Sequence, residues 1–311
     1  MRLRTRISLL ILLVIAVAAG LLSVIQHSHA DIFDRPQEVV GVRMQDVTFY
    51  SAALARTMPY RVYLPAKVAK GEQFPVVYLL HGDGGSFRDW SNSSDVAKYA
   101  GHGIIMVMPE GNSSYYMNAV DDEKDKYEDY ITKDLIADVE MAFPARRDRE
   151  SRAVVGVSMG GFAAIDYALA HPDLFAFAGA LSPAVDVPSR RFSPKYPDQW
   201  WRFRAIFGPL GSKERMDRDP FELVKSADPR VTPFIYMTAG EQESLLWPDY
   251  HFAERLKERG FAYEFHTKPG SHDWEQWDKQ VPGCFESLLT HLSISGNESA
   301  TSHLPKHPRA P

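Results

Sequence analysis

Gly156-Val157-Ser158-Met159-Gly160 joins an apolar, β-branched run (Arg152 to Val155) to Ala163, Ala164, Ile165 and Ala168, which continue at helical spacing. A serine flanked two residues away on each side by glycine, between a strand and a helix, is the pattern of a nucleophile elbow. So sharp a turn holds its serine at strained backbone angles, and a side chain at either glycine would strike the neighbouring strand or helix. The strain lifts the Ser158 hydroxyl clear of the sheet edge and sets the Met159 N–H beside it at a helix N-terminus. The expected chemistry is nucleophilic attack by Ser158 Oγ.

A serine hydroxyl needs a base to take its proton, and the base needs an acid to fix its tautomer. When the serine sits on such an elbow, the partners follow in the order serine, acid, histidine. Downstream, Pro233 to Ala239 reads as a buried strand running into Gly240-Glu241-Gln242-Glu243-Ser244-Leu245, a turn rich in carboxylates. A helix over about Pro248 to Arg259 then leads to a strand over Ala262 to Lys268, and Pro269-Gly270-Ser271-His272-Asp273-Trp274 follows it. His272 thus lies on a loop after the last strand, where the general base belongs. Of the 11 histidines, His27, His29, His303 and His307 lie in terminal segments. His102 and His171 sit near helix ends, and His266, inside a strand, reads as a space-filler. Glu243 and Glu241 both qualify as the acid, and spacing does not separate them.

A second glycine turn stands earlier. Phe74 to Leu80 is an apolar strand ending in His81-Gly82-Asp83-Gly84-Gly85. Such a turn can aim a backbone N–H at a developing oxyanion, as partner to that of Met159. Together the elements predict an α/β-hydrolase fold: a mostly parallel central sheet, helices on both faces, and a cap-like insertion at about 184–230, where strand–helix alternation lapses.

The chain resembles the esterase D, antigen 85 and feruloyl esterase group of α/β-hydrolases over roughly Val47 to Leu289. The resemblance rests on an ordered series: Tyr78-Leu-Leu-His-Gly82 with Gly85 and Trp90; Met108-Pro-Glu-Gly-Asn112 with Tyr115 and Asn118; and Tyr127-Glu-Asp-Tyr-Ile131. It continues with Gly156 to Gly161, His171-Pro-Asp-Leu-Phe175, Leu181-Ser-Pro183, Gly240 to Leu245 and Gly270 to Trp274. It implies a triad of Ser158, Glu243 and His272, and so selects Glu243 over Glu241. Feruloyl esterases usually carry aspartate at that place, and glutamate here departs from their pattern. It also implies an oxyanion hole from the backbone N–H groups of Asp83 and Met159, and it sets the loop carrying Tyr115, Tyr116 and Asn118 near the substrate.

Composition agrees with this. The chain has 311 residues, 45% of them hydrophobic, and a net charge of −5, enough for one large α/β domain (31–294) and without the basic stripe that nucleic acid demands. The lone cysteine, Cys284, excludes an intrachain disulfide and reads as a buried small hydrophobe. No Cys/His metal spacing occurs, and the chemistry requires no cofactor. Met1 to Arg6 is basic, Ile7 to Ile25 apolar, and Ser28-His29-Ala30 offers a cleavage site. Residues 1–30 therefore read as a signal peptide, or as an anchor through 7–25 that would be the only tie to a membrane. The expected location is outside the cytoplasm, either periplasmic or secreted. Residues 295–311 read as a disordered tail.

In the insertion, Arg190 to Arg204 is aromatic and basic, and Trp200, Trp201 and Phe203 are candidates to line the substrate pocket, with Tyr115 and Trp274. The arginines read as a solvated face. The expected partner is a small-molecule or carbohydrate ester of short-chain acyl, sugar or feruloyl type, hydrolysed through an acyl-enzyme. Rivals are acyl transfer of the mycolyltransferase kind, hydrolysis of S-formylglutathione (a cytosolic substrate, at odds with export), and a non-catalytic binding protein.

Overall fold

The computed structural model describes residues 34–293. The expected export segment and the C-terminal tail lie outside the described residues. Eight strands form one sheet: β1 (Val42–Ser51), β2 (Arg56–Pro65), β3 (Val76–Leu80), β4 (Ile105–Pro109), β5 (Arg152–Val157), β6 (Phe177–Leu181), β7 (Phe234–Gly240) and β8 (Tyr263–Lys268). Their order is β1-β2-β4-β3-β5-β6-β7-β8. The β1–β2 and β2–β4 pairs are antiparallel, and every later pair is parallel.

Period-two alternation sends the apolar strand residues to opposite faces. Val76, Tyr78 and Leu80 join the larger core cluster, and Val77 and Leu79 the smaller. The larger is covered by α1 (Met159–Ala170) and residues 127–142, and by α3 (Leu246–Arg259), through side chains such as Phe162, Tyr130 and Phe252. The smaller lies under α4 (Trp274–His291), which contributes Trp277, Val281, Cys284, Phe285 and Leu288. Helix α1 is buried nearly all round because it packs on the sheet and on residues 220–226.

The topology fixes where a ligand can bind. After β3 the chain adds β4 on one side, then crosses to add β5 on the other. At such a switch point the loops leaving two adjacent parallel strands diverge, and a crevice opens beyond their C-terminal ends. The loop after β3 begins at His81 and the loop after β5 at Ser158.

The insertion holds α2 (Pro197–Phe207) and short helices at Lys213–Met216 and Pro220–Ser226. Phe203, Ile206 and Phe207 face inward at helical spacing. Arg215, buried, donates to the carbonyls of Pro188 and Gly208. One expectation fails on β8. His266 is half exposed and pairs with Glu264 at 2.8 Å rather than filling space, because β8 is an edge strand whose C-terminal half is exposed.

Candidate active site

The elbow takes the form its glycines require. Ser158 has φ 53° and ψ −111°, in the strained region for a residue with a side chain. A Cβ on Gly156 would stand 2.1 Å from the carbonyl carbon of Gly160, and one on Gly160 2.3 Å from Leu80 O. The turn is held by Ser158 N–H donating to Leu181 O at 2.9 Å, and its carbonyl accepts from Phe162 and Ala184.

The loops after β7 and β8 bring two more side chains to Ser158. His272 Nε2 lies 2.8 Å from Ser158 Oγ, and its Nδ1 2.7 Å from Glu243 Oε2. Glu243 Oε1 accepts the Gly240 N–H at 2.6 Å. The Glu243 residue is only 8% exposed, whereas Glu241 points to solvent. With Nδ1–H donated to the carboxylate, Nε2 is left with a lone pair toward the serine hydroxyl, the tautomer a general base needs. The imidazole is braced by Trp277, whose ring meets it edge-on at 5.0 Å and 87°. Trp274 lies edge-on against Trp277 and Trp90.

Residues 82–85 form a tight turn closed by Gly85 N–H to Gly82 O, with Gly84 at φ +75°. This is the type II geometry, in which the third residue needs a positive φ. Among the described residues no acceptor meets the N–H of Asp83 or of Met159. Below the turn, buried Tyr116 accepts the His81 N–H through its hydroxyl at 2.9 Å, and His81 Nε2 accepts from Gly111 N–H. Tyr115 and Tyr116 both have positive φ. The close contact a Gly111 Cβ would make with the Tyr116 ring shows how tightly that loop is packed.

A cleft of about 560 Å³ opens over Ser158, lined by residues 82–85, Asp89, Tyr115, Arg190, Leu245, His272 and Trp274 among others. Burial, with a neighbouring Asp83, holds the Tyr115 phenol far above its ordinary range, so it stays a neutral donor. Burial also raises Asp89, against the pull of His81 and of its hydrogen bonds with Ser86. Arg190 is held bidentately by Asp186. No group of three or more His, Cys, Asp or Glu among the described residues is arranged to hold a metal ion.

Of the pocket residues expected from sequence, Tyr115 and Trp274 line this cleft. Trp200 lines an adjoining hollow that shares Arg190, Gln199, Ser244 and Leu245 with it. Trp201 lines neither and is 64% exposed. On α2 it stands about 100° round from Trp200, away from the inward stripe of Phe203 and Phe207. Sequence reasoning misses Trp277; its place in the first turn of α4, five residues after His272, is the signal that points to it. Arg202 is likewise no solvated charge: it pairs with Asp83.

The fold is shared with solved structures. One is the Staphylococcus aureus fluorophosphonate-binding serine hydrolase FphF, with 24% identity and a TM-score of 0.69, covering 80% of this chain and 98% of that one. Among curated proteins, an acetyl esterase of Caldicellulosiruptor saccharolyticus is 27% identical over 259 residues, covering 78% of this chain and 97% of the relative. Esterase Rv1288 of Mycobacterium tuberculosis is 29% identical over 252 residues, 72% of this chain and 54% of that longer protein. The family model described as "Putative esterase" matches residues 51–287. That match runs from the end of β1 into α4 and takes in every loop that meets Ser158, so the chain belongs to this esterase family, the serine hydrolases of the esterase D, antigen 85 and feruloyl esterase group.

Proposed function

We propose that the protein is an exported serine carboxylesterase acting through Ser158, His272 and Glu243. Ser158 Oγ attacks the ester carbonyl carbon while His272 Nε2 takes its proton. The carbonyl oxygen, now an anion, is held by the N–H groups of Asp83 and Met159. His272 returns the proton to the leaving alcohol as the C–O bond breaks, leaving an acyl group on Ser158. Water then attacks the acyl carbon, giving a proton to His272, and the collapse releases the acid and restores Ser158. Glu243 orients the imidazole throughout and stabilises its charged form.

The observation that carries this reading is the unbroken hydrogen-bonded chain from Ser158 through His272 to Glu243, at 2.8 and 2.7 Å. The relative named as an acetyl esterase supports a short acyl group. Carboxylates and indole rings together on the cleft wall support an alcohol rich in hydroxyls, such as a sugar. Export rests on the basic start, apolar run and small residues of 1–30. Among the described residues no helix is long and apolar enough to cross a membrane.

The test is hydrolysis of a p-nitrophenyl ester series, acetyl through palmitoyl and feruloyl, by the wild type and by Ser158→Ala. Turnover of the short esters that disappears in the variant is expected. Equal rates in the two proteins would sink the serine mechanism. Fractionation of cells expressing the full chain tests export: recovery in the cytoplasm would refute it.

A further inference from the structure

Of the four residues in the 82–85 turn, three are glycines, and only Asp83 carries a side chain. Glycine resists fixation because it surrenders the most conformational freedom, and within the turn a single backbone hydrogen bond, Gly85 to Gly82, closes the loop. The turn is nevertheless a wall of the cleft directly against the nucleophile: a Cβ on Gly82 would touch Ser158 Cβ at 3.5 Å. Its one side-chain handle points to the insertion. Arg202 Nη1 and Nη2 lie 3.1 and 2.5 Å from Asp83 Oδ1 and Oδ2, a fork-to-fork pair across 119 residues. Helix α2 is a firm base for Arg202. Phe203, Ile206 and Phe207 are buried beneath it, Phe203 packs edge-on against Tyr115 at 5.4 Å, and Ala205 O accepts the N–H groups of Val120 and Asp121.

We propose that Arg202 is a positioning residue that clamps the oxyanion turn to the cap, fixing the Asp83 N–H where the negative charge develops. The inference rests on the reading of that N–H as an oxyanion donor. Both partners are about a third exposed, where ion pairs add little to overall stability, so the clamp acts on geometry more than on folding. Donor placement matters because an oxyanion hole works by preorganisation, and loss of one donor outright costs about 10²–10³ in rate. Loosening the donor costs less, about tenfold.

The experiment measures kcat and KM for p-nitrophenyl acetate, the inhibition constant of a trifluoromethyl ketone, and Tm. It compares the wild type, Arg202→Gln, Arg202→Lys, Asp83→Asn, the Asp83→Asn/Arg202→Gln double variant and, for the ketone, Ser158→Ala. The ketone adds to Ser158 to give a tetrahedral oxyanion and so reports on the hole, whereas the ester KM reports mainly on the ground state. Arg202→Gln is expected to lower kcat and weaken the ketone by about tenfold each, with KM within about twofold and Tm unchanged. Arg202→Lys should recover part of the loss, and the double variant should be no worse than either single one, since one interaction is removed. Wild-type kcat and ketone affinity in Arg202→Gln would overturn the clamp and leave the oxyanion hole standing. So would a fall in kcat tracking a fall in Tm with ketone affinity unmoved. If the ketone binds the wild type no better than it binds Ser158→Ala, the oxyanion reading fails, and the clamp with it.

Discussion

Glu243 holds His272 with one carboxylate oxygen while its other oxygen is tied to the amide of Gly240. The two bonds are in tension with any shorter or neutral replacement. In Glu243→Gln the amide oxygen can keep the Gly240 N–H, which turns the NH₂ toward Nδ1 and favours the tautomer with its proton on Nε2. That tautomer cannot accept from Ser158. A fall in kcat of about 10³–10⁴ is expected, with the thermal midpoint nearly unchanged. Activity within tenfold of wild type would remove Glu243 from the triad.

The elbow tolerates no added methyl. Gly160→Ala would put a carbon 2.3 Å from Leu80 O and 2.7 Å from Leu80 Cβ, driving α1 away from β3. Overpacking of this kind costs roughly 1–3 kcal/mol, and the displacement carries Ser158 and the Met159 N–H with it. Urea unfolding should show the lower midpoint and ester hydrolysis the lower kcat. A variant as stable as wild type would contradict the packing described.

Trp277 borders the cleft and packs on the imidazole of the base, ring to ring, at 5.0 Å. Trp277→Leu is expected to reduce kcat about tenfold with little change in KM, because an imidazole held by Glu243 but no longer braced by the indole spends less time aligned. Trp277→Phe, which keeps an aromatic edge, should retain most of the activity. Equal losses in kcat and KM for both variants would argue for a substrate contact instead.

A fourth expectation concerns stability and pH. Asp166 on α1 is fully buried; burial pushes its carboxyl up to about 7, against the pull of Arg218, while Glu128 pushes it further. His171 is also raised, chiefly by its hydrogen bond to Glu128. A folded-state value above the unfolded one means stability that is complete at low pH and lost as pH climbs through the folded value. Both groups therefore have the same sign, and the thermal midpoint should fall from pH 5 to 8. Asp166→Asn removes one of the two titrations, so its slope should be shallower and its midpoint at pH 8 higher than wild type. A wild-type midpoint flat over this window would count against the buried carboxyl.

What could be read from the chain follows from the range of the interactions. The elbow is local: Gly156, Ser158 and Gly160 are dictated by clashes within a few residues, and the pattern shows in the sequence. The choice between Glu241 and Glu243 is not local. Glu243 is the carboxylate that turns under the loop to meet His272, 29 residues on, and spacing within the turn is blind to that. Trp201 faces out although aromatic residues crowd this part of the insertion, and only the phase of α2 says which of them faces in. The Arg202–Asp83 pair spans 119 residues and joins two segments whose separate compositions announce a solvated helix and a glycine loop. The exposure of His266 follows from β8 lying at the rim, a matter of sheet order that no single strand encodes.

The position of that last strand bears on how the protein behaves in a crowd of its own copies. Every sheet that does not close on itself has two rims of unpaired backbone, and each is an invitation to another chain. Here the rims are β1 and β8. The first carries Arg43, Gln45 and Asp46, and the second carries Glu264, His266 and Lys268. A strand arriving at either rim would have to bury charge against charge before gaining a hydrogen bond. The parallel interior, rich in valine and leucine and prone to such pairing if exposed, is thereby flanked on both sides by strands that carry charge.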